Sequence, residues 1–315
     1  MGIEGGWKYQ GYETLLLENH WFRLTILLDK GFGIYKTIYK PKDIALSWNT
    51  SWGLRPKGQV EGFMENYEGG WQIVFPNAGP PVQWQGAHFD QHGDINMVSW
   101  QLSQTRESKS AIEITGQANS IQMPFDVKRT IKIFAERPSL NITTTVTNTS
   151  NQRLPFMLGE HLVFGSPFLE PEQGFIEIEP ETDIFSQDGS KSKWPFQKID
   201  ETVWDLSKLG SRGSTSSISY LTNFKKGCYR IFGKDPSFGI ELNWDRQAFP
   251  YLWLWRELGQ GGYPWYGKHY NIGLEPFTSY PTNGLVEAIE NGSAIWIDPY
   301  KSLEFWIDFS VVEIE

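Results

Sequence analysis

One glutamate towards the C-terminal end of the chain stands in a segment suited to acid–base chemistry. Residues 271–276 read Asn-Ile-Gly-Leu-Glu-Pro, so Glu275 follows a short apolar run and is itself followed by Pro276. Proline fixes its own φ and keeps the preceding residue extended, which gives Glu275 a stiff backbone at a strand end or turn. A reacting carboxylate needs such support, because poor positioning lowers the rate.

Two histidines offer the other half of an acid–base pair. His92 lies in Gln-His-Gly at residues 91–93, and His161 lies in Gly-Glu-His at residues 159–161. Histidine is the side chain whose ordinary pKa lets it give and take protons near neutrality. The local sequence alone favours a hydrogen-bonded structural role for each, although a buried histidine can also be an acid with an adjusted pKa. With Glu275 they could form a site that uses no metal or cofactor.

Metal and nucleotide sites have little support in the sequence. His88 and His92 are four residues apart, which is a metal-ligand spacing on a helix. Their segment is flanked by glycines and has no helical period, and a catalytic zinc requires a third protein ligand. No phosphate-binding glycine loop occurs either. We therefore predict neither a metal nor a cofactor.

An aromatic segment precedes the glutamate. Residues 249–256 read Phe-Pro-Tyr-Leu-Trp-Leu-Trp-Arg, and an extended chain would place Tyr251, Trp253 and Trp255 on one face and Arg256 on the other. Flat rings suit the apolar faces of sugars, so this strand could form a sugar-binding wall. A packed strand in a sandwich core explains the same pattern, and both interpretations stay open.

The elements that must hold these residues are short strands. Period-two alternation favours half-buried antiparallel strands at residues 22–26, 111–115, 130–133, 141–146 and 303–309, separated by turn residues. The only helical segment that we predict is a short turn at 203–209, and the polar stretch 186–198 predicts a surface loop. Many such strands over 315 residues indicate an all-β fold, a large antiparallel β-sandwich forming one domain over residues 1–315.

Composition narrows the classes of partner and compartment. The net charge is −9 and no basic run occurs, which argues against nucleic acid and anionic membranes as partners. No apolar run approaches the length of a membrane span. Cys228 is the only cysteine, and the N-terminus shows no signal-peptide pattern, so we expect a cytoplasmic protein.

Taken together, the motifs resemble the aldose 1-epimerase family of galactose mutarotase-like proteins, over nearly the whole chain and as a divergent branch. Each motif alone is weak, but their order and spacing are fairly specific. They are Asp-Lys-Gly-Phe-Gly at 29–33, Phe-Pro-Asn at 75–77, Gln-His-Gly-Asp at 91–94 with Trp100 downstream, Arg-Thr-Ile at 129–131, Val-Thr-Asn at 146–148, Gly-Glu-His at 159–161 and Gly-Leu-Glu-Pro at 273–276.

The resemblance implies a fold, an activity and roles for residues. The fold would be the large antiparallel β-sandwich of that family, and the activity would be interconversion of the α and β anomers of an aldose without a cofactor. Glu275 matches the general base, His161 the general acid and His92 a histidine that holds the substrate. We expect the sugar to be further contacted by Asn77, Gln91, Trp253, Trp255 and Arg256.

The chain also departs from the family pattern, because Phe-Pro-Asn-Ala-Gly at 75–79 lacks the arginine expected beside the asparagine. Arg55 or Arg256 could replace it. Phosphorylated, sulfonated or acidic sugars are therefore open as substrates, with Arg55, Arg256 and Lys268 as candidate contacts. The expected partner is a small sugar, and the protein a monomer or homodimer.

Two other functions stay open. A carbohydrate-binding protein without catalytic activity would keep the aromatic wall but would not need both His161 and Glu275. A glycoside hydrolase would need a second carboxylate beside Glu275, usually about 5–5.5 Å away in a retaining enzyme. The candidates for that second carboxylate are Asp90, Asp94, Glu160 and Glu257.

Overall fold

The computed structural model describes residues 2–314, and its regular secondary structure consists almost entirely of antiparallel strands. The first strands in chain order are β1 (Gly2–Tyr9), β2 (Tyr12–Glu18), β3 (Phe22–Leu27), β4 (Gly33–Tyr39), β5 (Ile44–Ala45), β6 (Trp71–Val74), β7 (Val82–Trp84), β8 (Ala87–Phe89), β9 (Gln101–Glu107), β10 (Ala111–Asn119), β11 (Phe125–Phe134), β12 (Ser139–Asn148) and β13 (Leu154–Phe156). The remaining strands are β14 (Gly159–Gly165), β15 (Phe175–Glu177), β16 (Asp183–Ser186), β17 (Lys191–Lys193), β18 (Phe196–Ile199), β19 (Thr202–Asp205), β20 (Ser217–Thr222), β21 (Cys228–Phe232), β22 (Phe238–Trp244), β23 (Tyr251–Glu257), β24 (Asn271–Phe277), β25 (Ile295–Ile297) and β26 (Ser302–Glu313). The helices are short: α1 (Phe63–Asn66), α2 (Leu285–Glu290) and a 3-10 turn at Lys40–Lys42.

Two large sheets make up the architecture. The larger has the order β1-β2-β3-β4-β6-β14-β24-β23-β20-β16-β17-β18-β19, with β5 paired to β4, and the smaller has the order β15-β21-β22-β26-β12-β11-β10-β9. Rings from the two sheets pack together, as in the contacts of Phe22 and Trp71 with Phe309 and of Phe164 with Tyr229. The predicted large antiparallel β-sandwich is confirmed.

Side-chain alternation explains which strands lie where. Strand β12 alternates almost regularly between buried and partly exposed positions, as expected for a strand with one face on the core. Strands β14 and β24 are buried at every position, because one face meets the smaller sheet and the other is covered by loops. Polar side chains on these two strands are therefore held away from water.

A buried ion pair joins the two sheets behind β14. Arg129 on β11 donates from both terminal guanidinium nitrogens to the Glu160 carboxylate, at 2.5 and 2.6 Å. The indole N–H of Trp71 donates to the same carboxylate at 2.7 Å. A buried carboxylate with this many donors is well satisfied and fixes the position of the strand.

Most of the predicted strands are confirmed: those at 22–26, 111–115, 130–133, 141–146 and 303–309 fall within β3, β10, β11, β12 and β26. The helical turn at 203–209 is wrong, because the chain continues as β19 to Asp205 before it turns. The segment predicted as a loop at 186–198 instead contains β17 and most of β18, which form a hairpin near the edge of the larger sheet. The single domain over 1–315 stays a prediction. No helix between residues 2 and 314 has the length and apolar character needed to cross a bilayer.

Candidate active site

Neighbouring strands of the larger sheet place the candidate residues in one row on the loop-covered face. Trp253 on β23 pairs directly with Glu275 on β24. Strands β14 and β24 pair Val163 with Gly273 and Gly159 with Phe277, which places His161 opposite Glu275. Two residues more than a hundred positions apart in sequence are thus brought together by strand register.

Glu275 and His161 face each other in a buried environment. The Nδ1 atom of His161 lies 3.6 Å from Oε1 of Glu275, and both side chains are almost fully buried. The hydroxyl of Tyr67 lies 3.4 Å from the same Nδ1. No group among the described residues donates a hydrogen bond to Oε1 of Glu275. A buried acceptor without a partner is costly, and a hydroxyl-bearing ligand would satisfy it.

A glycine makes room for this carboxyl group. A Cβ atom built on Gly273 would overlap Oε1 of Glu275 and would also press on Trp255. Because Gly273 and Glu275 are two residues apart on β24, they point to the same face, and the carboxyl group lies over the glycine. Residue 273 in the Gly-Leu-Glu segment therefore has to be glycine for the carboxyl group of Glu275 to occupy this position.

His92 is held by a tight turn. Its backbone has a φ of 61°, in the left-handed region, and its Nδ1 accepts the backbone N–H of Gly79 at 3.1 Å. The neutral ring must then carry its proton on Nε2, which leaves that N–H free to donate. The ring lies 5.7 Å from that of His161 and packs edge-on against Phe63. His92 is therefore oriented as a donor.

Burial sets the pKa values of the three groups. Loss of hydration raises the pKa of Glu275 well above its ordinary value of 4.5. It lowers the pKa of His161 to about 4, and burial together with the nearby His161 lowers the pKa of His92 to about 3. All three shifts favour the neutral form of the group. A carboxyl group with a raised pKa is a stronger base once it has lost its proton.

These groups line a cavity of about 230 Å³. That is below the roughly 300–1,000 Å³ of pockets for drug-sized ligands, and it suits a molecule with the size of one sugar ring. Its lining contains no lysine or arginine and Glu275 is its one carboxylate among the residues that the structure describes. The lining residues are Phe63, Met64, Tyr67, Gln91, His92, His161, Ile218, Trp253, Trp255, Trp265, Glu275 and Thr282.

The cavity brings together six of the eight residues named from the sequence: Glu275, His161, His92, Gln91, Trp253 and Trp255. Sequence reasoning missed Tyr67 and Trp265. Tyr67 follows α1 in an irregular segment and has no sequence signal. The aromatic and glycine-rich segment 259–267, which contains Trp265, was a recognisable signal for a loop that shapes a site.

Asn77 does not reach the cavity, contrary to the prediction that it contacts the sugar. Its amide nitrogen donates to the carbonyls of Pro80 and Asp90, at 2.9 and 3.0 Å. Its amide oxygen accepts the N–H of Leu285 at 2.8 Å, and the residue is fully buried. Because its polar atoms are occupied by backbone groups, Asn77 ties loops to the start of α2 and is not free to bind a ligand.

Arg256 is also misplaced by the sequence-based prediction. It lies on the face of β23 opposite Trp253 and Trp255, is almost fully buried, and none of its guanidinium nitrogens has a hydrogen-bond partner among the described residues. Burial lowers its pKa. Its guanidinium lies 5.7 Å from the ring of Trp204, so it belongs to the core side of the sheet and cannot supply charge to the cavity.

The remaining candidates lie outside the cavity. Arg55 and Lys268 line a neighbouring cleft. His88 is exposed on β8, 3.8 Å from Asp90. Within residues 2–314 no three histidine, cysteine, aspartate or glutamate side chains come close enough to hold a metal ion together.

Comparison with solved structures identifies the fold. The chain superposes on the Slr1438 protein from Synechocystis sp. PCC 6803 with a TM-score of 0.72 and 18% identity, covering 98% of this chain and 99% of that one. A galactose mutarotase-like protein from Clostridium acetobutylicum gives a TM-score of 0.72 at 14% identity, covering 99% of both chains. A protein from Klebsiella pneumoniae, provisionally named an aldose 1-epimerase, gives 0.75 at 12% identity, covering 99% of this chain and 83% of that one.

Identities this low carry the fold alone, so the resemblance to galactose mutarotase-like proteins is confirmed at that level. No match was found among curated proteins. A family model described as "Domain of unknown function (DUF4432)" matches residues 9–311. Since this match spans nearly the whole chain, the protein belongs to the DUF4432 family.

Proposed function

We propose that the protein is a cofactor-independent aldose 1-epimerase that interconverts the α and β anomers of a sugar. The observation that carries the proposal is the pair formed by Glu275 and His161, which face each other across adjacent strands inside a cavity the size of one sugar ring. Anomer exchange requires one base and one acid on either side of the anomeric carbon. The cavity offers one group of each kind, and both are buried.

Glu275 would take the proton of the anomeric hydroxyl as the bond from C1 to the ring oxygen breaks. His161, in the protonated form that accompanies the ionised Glu275, would deliver a proton to that ring oxygen, so the ring opens to a neutral aldehyde. The pair is then left in the neutral form that burial favours, with the proton on Glu275, and its total number of protons is unchanged. Rotation about the C1–C2 bond turns the other face of the aldehyde towards the former ring oxygen. Reclosure with the two roles reversed gives the opposite anomer and restores both side chains.

The other lining residues would hold the sugar during this cycle. The Nε2–H of His92 is available to a sugar oxygen, because its Nδ1 is occupied by Gly79. Gln91 adds an amide, and the rings of Trp253 and Trp255 offer flat apolar surfaces to the sugar. The Trp253 ring is itself fixed by stacking on Phe277 and by its N–H bond to the Ser279 carbonyl. Such rigid supports favour a single substrate orientation.

The two alternatives are less well supported by this arrangement. A glycoside hydrolase needs two carboxyl groups at the scissile bond, whereas Glu275 is the one carboxylate lining the described cavity. Glu160 is bound to Arg129 behind the sheet. A protein that only binds sugar has no need of a facing acid and base, and burying Oε1 of Glu275 without a hydrogen-bond partner is costly.

The test is anomer exchange by magnetisation-transfer NMR over a panel of neutral, phosphorylated and acidic aldoses. We expect the wild type to accelerate exchange for at least one sugar and Glu275→Gln to lose at least about a hundredfold, the usual contribution of a general base. Glu290→Gln, at an exposed site on α2, is the matched control and should exchange like the wild type. Full activity in Glu275→Gln, or no acceleration of any sugar by the folded wild type, would overturn the proposal.

A further inference from the structure

A second cleft adjoins the catalytic cavity and has almost the same size. Its volume is about 240 Å³, compared with about 230 Å³ for the cavity. The two share Met64 and Trp265 as common walls. The cleft is lined by the segment before α1, by α1 itself and by the loop at 263–268, and its side chains include Trp52, Arg55, Glu65, Tyr263, Tyr266 and Lys268.

A continuous strip of rings joins the two spaces. The ring of Trp255 lies 5.8 Å from that of catalytic His161 and 6.2 Å from that of Trp265. Trp265 in turn stacks on Trp52, with centroids 5.7 Å apart and planes inclined by 16°. The strip therefore runs from the acid–base pair to the floor of the second cleft. Met64 stands beside it, and an unbranched methionine can change rotamer at low cost to admit a longer ligand.

Polar groups surround this apolar floor and are held in place. The guanidinium of Arg55 lies 5.1 Å from the Trp52 ring, and its Nε donates to the Glu65 carbonyl at 2.9 Å. The Tyr263 hydroxyl donates to the Glu65 carboxylate at 2.9 Å. Together with Lys268, the rim therefore carries two cations, Arg55 and Lys268, and one carboxylate, Glu65. This mixture of charges suits a ligand with neutral hydroxyl groups better than a strongly anionic ligand. Aromatic floors with mixed polar rims favour a ligand that is apolar on its ring face and polar at its edge.

We propose that this cleft binds a second sugar unit, so that the substrate is the reducing-end residue of a disaccharide or longer glycan. The inference rests on the proposed function, because it assigns the reducing end to the catalytic cavity. The anomeric hydroxyl must be free beside Glu275, so the second unit is attached through a hydroxyl on the opposite side of the ring. Linkages to O4 or O6 of the reducing sugar meet this requirement.

The experiment uses the full chain and compares glucose and galactose with cellobiose, maltose, lactose and melibiose, and with glucose 6-phosphate as an anionic probe. The test variant is Tyr266→Asn. Tyr266 is 67% exposed, lines the second cleft but not the catalytic cavity, and has a φ of 50°. Asparagine tolerates that φ, so the substitution removes the ring without straining the backbone. The matched control is Tyr300→Asn, because Tyr300 is 69% exposed, has a φ of 57° and lines neither space.

Two readouts separate this inference from the proposed function. In anomer exchange, we expect a disaccharide to have a higher kcat/KM than its monosaccharide, and Tyr266→Asn to lower only the disaccharide value, by about tenfold for one lost aromatic contact. Tyr300→Asn should change neither. The proposed sugar subsite would be overturned if Tyr266→Asn affected both sugars equally or neither of them. It would also be overturned if glucose 6-phosphate were preferred over every disaccharide. None of these results would contradict the proposed mutarotase activity.

Binding is the readout that does not depend on catalysis. Tryptophan fluorescence titration should give a lower Kd for a disaccharide than for its monosaccharide, and Tyr266→Asn should raise the disaccharide Kd. If no sugar undergoes accelerated exchange, the proposed function fails, but the titration still tests whether the second cleft binds a sugar unit. Equal Kd values for monosaccharide and disaccharide in the wild type would refute that subsite.

Discussion

Replacing the candidate base should stabilise the folded protein. Glu275 is almost fully buried, and its Oε1 has no donor among the described residues. Glutamine has the same shape and cannot ionise, so Glu275→Gln removes the cost of burying a charge. Its amide can also approach Nδ1 of His161, which lies 3.6 Å from Oε1 in the wild type. We therefore expect a variant that has lost activity but gained stability.

The size of this gain depends on pH in a defined direction. The ordinary pKa of the carboxyl group is 4.5, and burial raises it in the folded state. Between those two pKa values the folded protein holds a proton that the unfolded chain releases, so the free energy of unfolding falls as pH rises. The slope is about 1.4 kcal/mol per pH unit for one group. Glutamine does not titrate, so the stability of Glu275→Gln lacks this pH dependence. The difference in free energy of unfolding between the variant and the wild type should therefore grow by about 1.4 kcal/mol per pH unit above pH 4.5 and become constant above the raised pKa.

For a second buried glutamate, Glu160, we expect the same substitution to lower stability. Glu160 forms an ion pair with Arg129 and accepts the N–H of Trp71. Glu160→Gln leaves a buried guanidinium without its counter-charge, which should destabilise the protein by about 3–5 kcal/mol. The same chemical change should therefore raise stability at residue 275 and lower it at residue 160.

Urea denaturation of the two variants and the wild type at pH 5, 6 and 7 measures both effects. The difference between Glu275→Gln and the wild type is the decisive quantity, because titration of other groups cancels in it. A difference that is constant with pH, or a less stable Glu275→Gln at pH 7, would show that the carboxyl group is not buried in the manner described, and the reasoning on its pKa would be wrong.

Two further substitutions test the packing of the site. Gly273→Ala should abolish anomer exchange and cost about 1–3 kcal/mol, because its Cβ would overlap the Glu275 carboxyl group; activity and urea denaturation measure the two effects. Arg256→Met should raise the free energy of unfolding by about 1–3 kcal/mol, because it removes a buried guanidinium without partners, and should leave anomer exchange unchanged. Loss of anomer exchange in Arg256→Met would contradict the placement of Arg256 outside the candidate site.

The sequence predicted the fold well because the relevant signal is local. Strands such as β11 and β12 bury every second residue, and this period is visible in the chain itself. The predictions failed where the signal was weak. The short strands β17 and β18 are polar and lie near a sheet edge, so no apolar face marks them, and the segment leading into β19 carries no period long enough to exclude a turn.

The site was predicted in part, and its errors have physical causes. Period-two reasoning already placed Arg256 on the face of β23 opposite Trp253, but it could not tell which face lies towards a cavity. Asn77 was named from a motif, and its three backbone hydrogen bonds depend on loops that only the folded chain brings together. Tyr67 approaches His161 through tertiary packing between distant segments, which no local pattern encodes.

Strand alternation explains how His161 can be as buried as a core residue and still face the candidate cavity, as the proposed acid must. On β14, Glu160 points to the smaller sheet and His161 to the loop-covered cavity, so adjacent residues serve different faces. The ion pair of Glu160 with Arg129 holds the strand rigidly, and that rigidity positions the histidine opposite Glu275. Burial on both faces makes the strand appear apolar in sequence, and the same burial shifts the pKa values of the acid–base pair. For this reason the strands that carry the candidate site are difficult to distinguish from ordinary core strands by their sequence alone.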